Sequence, residues 1–179
     1  CLSINGRETE AGTTSLIKNN MFPSKQPSTL LKVDGATHTF NAMSGGTHRG
    51  TSAALSALIH DEVYAEIIGD GVHVSDDALK LFFKAKPEDK VILISDALPI
   101  TYSDMKETVF ADSKIYYDGD KATSADGTIA GSTKLLPEII KILGKKGMFK
   151  PRFIENTYRY HGLEPMGEIE WDEDFNPRF

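Results

Sequence analysis

The sequence predicts an α/β protein built on a parallel sheet, and three observations carry that expectation. From Ala36 to Ser95 the pattern runs strand, loop, helix, strand, loop, helix, strand. The stretch Val91-Ile92-Leu93-Ile94-Ser95 is short, continuous and β-branched, as a parallel strand buried on both faces must be. That alternation is the signature of right-handed strand–helix–strand units, in which each helix packs back over the sheet.

Each element has a local reason. Between Leu2 and Leu31 the periodicity is weak, Asn19-Asn20 and Phe22 to Ser28 read as loop, and Ser28 can cap a short helix with Leu30, Leu31 and Val33 as apolar contacts. Ala36 to Phe40 reads as a strand that ends in a polar loop from Asn41 to Gly50. Thr51 to Ile59 is rich in Ala and Leu at helical spacing. Tyr64 to Ile68 is a strand stopped by Gly69-Asp70-Gly71, and Ser75-Asp76-Asp77 is an N-cap with first-turn acids opening a helix through Lys86. After Asp96 the character changes. Thr108 to Tyr117 alternates, with turns at Asp118-Gly119-Asp120 and Asp126-Gly127-Thr128, which predicts a hairpin. Leu135 to Leu143 is a helix closed by Gly144, Phe153 to Tyr160 a second helix, and Met166 to Phe175 an isolated strand. No internal repeat or low-complexity segment interrupts this order.

Composition excludes several classes. The 179 residues are 40% hydrophobic and 26% charged, which suits one sizeable core or a domain with an appendage. A net charge of −6 leaves no basic surface for a phosphate backbone, so nucleic acid is not an expected partner. No stretch approaches the ~20 apolar residues of a membrane span, and the first residues lack the charged-then-apolar pattern of a secretory signal. Cys1 is the sole cysteine, which rules out an internal disulfide and points to the cytoplasm. The chain does not begin with Met and starts within an apolar run, which predicts a fragment or one half of a split protein.

The chemistry-bearing residues fall at strand ends. His38 lies in the first strand of the alternating region, Asp70 and His73 follow the second, and Asp96 ends the third. In parallel α/β folds the carboxyl ends of the strands form the functional face. Singly, each has a plain structural use: a core histidine, or an aspartate capping the next segment. Three consecutive strands delivering His or Asp to one edge favour a functional face by ~3 to 1. His48 and Arg49 follow Gly45-Gly46 in a loop suited to anions, since a guanidinium grips phosphate bidentately; without further context a solvated surface loop is equally good. His60 and His161 each sit where a helix should end, where an imidazolium is favourable.

The residues taken together resemble the N-acetylglucosamine-6-phosphate deacetylases, a branch of the amidohydrolase superfamily. Ala36-Thr37-His38-Thr39-Phe40-Asn41-Ala42-Met43-Ser44 is similar to that family's T-H-L-F-N-A-M signature, and His48-Arg49-Gly50 to its H-R-x-x-G loop in shortened form. Ile67 to Val74 resembles I-I-A-D-G-x-H-V, Leu93-Ile94-Ser95-Asp96-Ala97 resembles L-V-T-D-A, and Asp126 to Ser132 resembles D-G-T-L-A-G-S. Five motifs in the family's order are far more specific than any one of them.

The resemblance implies an α/β fold that is the C-terminal part of a (β/α)8 TIM-type barrel with a remnant of a small β-domain. Residues 1–162 would belong to the barrel, and residues 163–179 would be the C-terminal strand and tail of the small domain. A complete barrel takes ~250 residues, so about half would be present. By the same resemblance, His38 would ligate one divalent metal, zinc or iron, and Asp96 would be the acid/base that activates metal-bound water and passes the proton to the departing amine. His73 would hold the developing oxyanion. Asn41 and Ala42 through their backbone, with His48 and Arg49, would hold the sugar phosphate. Ile129, Ala130 and Gly131 would close over the sugar. In the family that Arg serves the neighbouring subunit, which implies a homodimer, with a missing N-terminal half as the alternative source of parts. The family's metal site also uses a Glu from an earlier strand and a His in a G-H-[ST]-x-A segment. The nearest counterpart of the second here, Asn5 to Ala11, carries Arg7 or Glu8 in place of that His. Arg stays protonated and cannot ligate, whereas Glu8 can after a shift of register.

The implied reaction is metal-dependent removal of acetate from N-acetylglucosamine 6-phosphate in amino-sugar catabolism. A non-catalytic descendant that keeps the phosphosugar pocket, or a fragment inactive on its own, is the alternative. A generic phosphosugar or phosphoester enzyme using Asp96 with a metal is a third reading.

Overall fold

A computed structural model describes residues 2–3, 34–43, 46–50 and 52–178. The expectations for residues 4–33, including the helix after Ser28 and the Arg7 and Glu8 positions, lie outside the described residues. The chain divides into two compact units. One comprises Cys1–Ile67, Lys80–Leu93 and Pro151–Pro165; the other comprises Ile68–Leu79, Ile94–Lys150 and Met166–Phe179.

The alternation predicted for the first half is present. Strand β1 (Leu2–Ser3) runs antiparallel to β2 (Gly35–Ala36), which pairs in parallel with β3 (Tyr64–Ile68) in the register Gly35↔Tyr64 and Ala36↔Ala65. With β4 (Val91–Ile94) these make a four-stranded sheet of order β1-β2-β3-β4. Helix α1 (Ala53–Ile59) connects β2 to β3, and α2 (Asp76–Ala85) connects β3 to β4. The second starts after Ser75 as the sequence says, and the first starts at Ala53, two residues after the expected Thr51. Ser52 Oγ accepts from Leu55 N at 3.1 Å and Ser75 Oγ from Ala78 N at 3.3 Å, each satisfying a first-turn amide that has no partner inside its helix. Apolar residues Ala65, Ile67, Ile68, Val91, Ile92 and Leu93 are buried, as two-sided strands require.

The first unit is tightened by two buried polar residues. Lys86 Nζ donates to Ala57 O at 2.8 Å and His60 O at 2.7 Å, so it satisfies carbonyls left open where α1 ends. Asn156, in α4 (Arg152–Tyr160), donates from Nδ2 to Val91 O at 2.7 Å and Glu88 O at 2.9 Å, fastening that helix to the start of β4. Phe83 and Phe153 stack with ring centroids 5.2 Å apart. His60 and His161 do occupy the C-cap positions of α1 and α4.

The second unit holds a three-stranded antiparallel sheet, β5 (Glu107–Phe110), β6 (Ser113–Tyr117) and β7 (Ala122–Ser124). Its core comprises Leu98, Ile100, Ile115 and Ala122, with Tyr117 packed against them. Helix α3 (Leu136–Lys145) and a short hairpin, β8 (Glu170–Trp171) with β9 (Pro177–Arg178), complete it.

Four elements depart from the sequence expectation. The strand at Ala36–Phe40 ends at Ala36, because His38 (φ +36°), Phe40 (φ +80°) and Ala42 (φ +51°) are left-handed and cannot continue a pleat. Thr108–Tyr117 is itself two strands, folded at Ala111 and Asp112 with φ of +49° and +62°, a two-residue hairpin without the usual Asn-Gly signal. Gly144 lies inside α3 rather than closing it. A Cβ there would sit 2.5 Å from the Phe175 ring, so this glycine serves close approach, and Gly147 at φ +67° makes the turn. Met166–Phe175 is no isolated strand: only Glu170–Trp171 is extended, and Asp172 accepts the Asp174 and Asn176 amides to turn the chain back.

Candidate functional site

In the second unit, Asp70 organises a buried polar cluster. Gly69 precedes it because a Cβ at that position would lie 2.6 Å from Leu143 Cδ1, and Gly71 follows at φ +79°. Between them the Asp70 side chain folds back on its own loop. Its Oδ1 accepts from Val72 N at 2.9 Å and His73 N at 3.0 Å. Its Oδ2 accepts from His73 Nδ1 and from Ser132 Oγ, each at 2.8 Å. The carboxyl and the imidazole are nearly closed to solvent, with side-chain exposures of 2% and 5%. Burial works to raise the Asp70 pKa, but the hydrogen bonds from the His73 side chain and from the His73 and Val72 amides outweigh it and hold the group far below the usual carboxylate range. His73 Nε2 is buried with no hydrogen-bond partner among the described residues.

Ser132 belongs to the Asp126–Ser132 segment, which is held on both sides. Thr123 bridges Ile129 in antiparallel fashion, and Ala130 N donates to Ala122 O at 2.9 Å. On the other side Ala97 bridges Ser132 in parallel, with Ser132 N to Asp96 O and Leu98 N to Ser132 O both 2.9 Å. Gly131 permits this approach: a Cβ there would lie 2.9 Å from the Asp96 carbonyl oxygen and 2.9 Å from Leu98 Cγ. Ile129 and Ala130 are exposed and Gly131 is buried. Asp96 is exposed, left-handed at φ +49°, and its carboxylate has no hydrogen-bond partner among the described residues. Three of the five motifs, those of Asp70 and His73, of Asp96, and of Ile129 to Ser132, therefore meet in one hydrogen-bonded unit. Backbone strain of this kind persists where the surroundings over-determine it, and it concentrates at functional sites.

The remaining predicted residues lie in the first unit. His38 N donates to Glu66 Oε2 at 3.3 Å, Thr39 N to Glu66 O at 2.8 Å, and Asn41 N to His38 O at 2.9 Å. The His38 ring meets Asn41 O through Nδ1 at 3.1 Å, so Nδ1 donates there and Nε2 is the nitrogen that a neutral ring could offer to a metal. Ala42 is exposed at the end of this loop. His48 and Arg49 are exposed at the tip of a tight turn closed by the Thr47–Gly50 bridge.

A metal-ligating histidine commonly gives its other ring N–H to a backbone carbonyl, as His38 Nδ1 does to Asn41 O, so His38 fits that use. Among the described residues no three His, Cys, Asp or Glu side chains converge on a point that could hold a metal. Sequence reasoning did not single out Ser132. A serine within an Ala-Gly-Ser run gives no sign of the acceptor it meets 62 residues away.

No family model matches the chain. An N-acetylglucosamine-6-phosphate deacetylase of Bacillus subtilis is 40% identical over 98 residues, which is 54% of this chain and 24% of that protein. An N-acetylgalactosamine-6-phosphate deacetylase of a Shewanella species is 33% identical over 98 residues, 55% of this chain and 25% of that protein. Among solved structures, N-acetylglucosamine-6-phosphate deacetylase of Thermotoga maritima superposes with a TM-score of 0.72 at 25% identity, covering 82% of this chain and 44% of that one. The enzyme of Pasteurella multocida gives 0.67 at 26% identity, covering 80% and 42%. The chain thus spans about a quarter of the length of the curated relatives it matches. In sequence over about half of itself, and in α/β fold over about four-fifths, this chain is similar to the C-terminal part of N-acetylglucosamine-6-phosphate deacetylases.

Proposed function

We propose that the chain supplies the C-terminal part of a metal-dependent deacetylase that releases acetate from N-acetylglucosamine 6-phosphate. The observation that carries this reading is the junction in the second unit, where Ser132 hydrogen-bonds both the Asp70 carboxylate and the Asp96 carbonyl. In the reaction, the exposed Asp96 carboxylate takes a proton from the attacking water and delivers it to the departing amine nitrogen. His73, its ring anchored by Asp70, presents Nε2 to the scissile acetamide and stabilises the oxyanion there when it is the imidazolium, with Nδ1–H on the Asp70 carboxylate and Nε2–H on the oxyanion. The backbone of Asn41 and Ala42, with His48 and Arg49, binds the phosphate, and Ile129, Ala130 and Gly131 cover the sugar.

His38 is the described residue fitted to hold the divalent metal, zinc or iron, whose role when bound is to polarise the acetamide and acidify a water. The remaining ligands would come from outside the described residues, through Glu8 or a separate N-terminal half. The same reading takes residues 1–162 as part of a (β/α)8 barrel and residues 163–179 as a small-domain strand and tail, consistent with the β8–β9 hairpin. It takes the assembly as a homodimer or a complex with the missing half. No helix among the described residues is long and apolar enough to cross a membrane, and with a single cysteine the cytoplasm is the proposed location.

The test is acetate release from N-acetylglucosamine 6-phosphate by the full chain, with and without added zinc or iron, and with any N-terminal partner supplied. Turnover that Asp96→Asn abolishes supports the assignment. Phosphosugar binding with neither turnover nor bound metal would replace it with a non-catalytic binding module. That second reading draws on the absence of a converged ligand trio among the described residues. Turnover of phosphoesters but not acetamido sugars would remove both.

A further inference from the structure

We infer that Asp70 is the positioning residue that decides which nitrogen of His73 faces a ligand, while Ser132 occupies the last lone pair of its carboxylate. This deepens the deacetylase reading and rests on it only where activity is the readout. Asp70 receives four hydrogen bonds: Val72 N and His73 N on Oδ1, His73 Nδ1 and Ser132 Oγ on Oδ2. Four donors fill the lone pairs of an ionised carboxylate and leave no place for a proton on it. The ring nitrogen facing Oδ2 must therefore carry the hydrogen. Ser132 adds the direction of its own bond. Lys134 N donates to Ser132 Oγ at 3.1 Å, and the hydroxyl hydrogen goes to Asp70, so Ser132 cannot donate to the imidazole in its place.

Nε2 is then the only ring atom left for a ligand, and it is buried without a partner among the described residues. A buried nitrogen left open by such a saturated anchor is arranged for something that arrives. Because Ser132 directly follows Ile129, Ala130 and Gly131, its hydroxyl ties the segment assigned to cover the sugar to the anchor that orients His73.

The experiment is long-range proton–nitrogen NMR of histidine side chains on the full chain, at a pH where the His73 ring is neutral. Wild type should show His73 protonated at Nδ1 and bare at Nε2. Asp70→Asn brings an amide that can donate to Nδ1, and should move the tautomer ratio at least tenfold toward Nε2–H. Ser132→Ala, which leaves the carboxylate in place, should keep the wild-type tautomer. A bare Nδ1 in wild type, or an unchanged ratio in folded Asp70→Asn, overturns the inference. If Asp70→Asn does not fold, the wild-type and Ser132→Ala spectra still decide it. In protein that turns over, Asp70→Asn should lower kcat about 10²–10⁴-fold, because the imidazolium that meets the oxyanion loses the carboxylate that orients and stabilises it, with KM within about threefold. Absence of all turnover would defeat the deacetylase reading and leave the tautomer result standing.

Discussion

Replacing Gly131 with alanine probes the junction between the Asp96 segment and the Ile129–Ser132 segment. The added methyl would lie 2.9 Å from the Asp96 carbonyl oxygen and 2.9 Å from Leu98 Cγ, closer than real Cβ contacts come. One neighbour is backbone, so a rotamer change cannot relieve it. The strands must separate, and the first bond strained is Ser132 N to Asp96 O, now 2.9 Å. Overpacking of this kind costs about 1–3 kcal/mol, and a weakened backbone hydrogen bond about 1 kcal/mol more. A loss of about 2–4 kcal/mol, at a urea m-value of about 2 kcal/mol/M, lowers the unfolding midpoint by about 1–2 M. The assay is urea unfolding of the full chain, followed by near-ultraviolet circular dichroism, to which Tyr117, packed on the core of the same unit, contributes. Gly127→Ala is a control of opposite geometry, strained by its φ of +85° but with nothing near its Cβ. It should cost no more than about 1–2 kcal/mol. A Gly131→Ala midpoint within 0.3 M (roughly 0.6 kcal/mol at that m-value) of wild type would refute the close approach of the two segments.

Three further outcomes follow from the same contacts. Burial lowers the Lys86 pKa from 10.5 to about 8, against the pull of Asp61 and Glu62; the unfolded chain then binds more protons between those values, so stability rises with pH there. The stability difference between wild type and Lys86→Met, measured by urea unfolding from pH 7.5 to 10.5, should grow in favour of wild type by at most about 3 kcal/mol. Asp70 has the opposite sign. Its folded pKa is depressed, so its contribution is complete above the unfolded value near ~4 and is lost as pH falls below it; Asp70→Asn should unfold in acid with a visibly shallower pH dependence than wild type below pH ~4. Ser52→Ala removes the acceptor for Leu55 N and should cost about 1 kcal/mol, read as a drop in thermal midpoint of about 2–4 °C.

Much of the molecule was legible in the sequence because its cause is local. Ser75 announces a helix start, Gly69 and Gly71 end a strand, and the apolar run Val91 to Ile94 reads as a buried strand. Local reasoning also places Asp70, His73 and Asp96 just beyond strand ends, and the turns at Asp118-Gly119 and Asp126-Gly127 hold as read, with Asp118 and Asp126 each accepting amides two residues on. It fails where a distant atom decides. The strand expected through Phe40 breaks into left-handed turns whose amides are taken by Glu66, a residue of the next strand. Gly144 reads as a helix stop until Phe175 is seen against it, and nothing around Ser132 foretells that its hydroxyl meets Asp70.

The functional side shows the same division. Five motifs in order were enough to identify the relatives, since residue types and spacings are properties of the chain alone. Asp96, which its motif singles out, is an exposed carboxylate held in a left-handed backbone. Only the tertiary structure could show that Asp70 is saturated by four donors, that His73 is thereby left with one buried open nitrogen, and that Gly131 lets the two segments touch. Hydrogen-bond saturation and steric exclusion depend on atoms brought together across the fold, and no periodicity in the sequence records them.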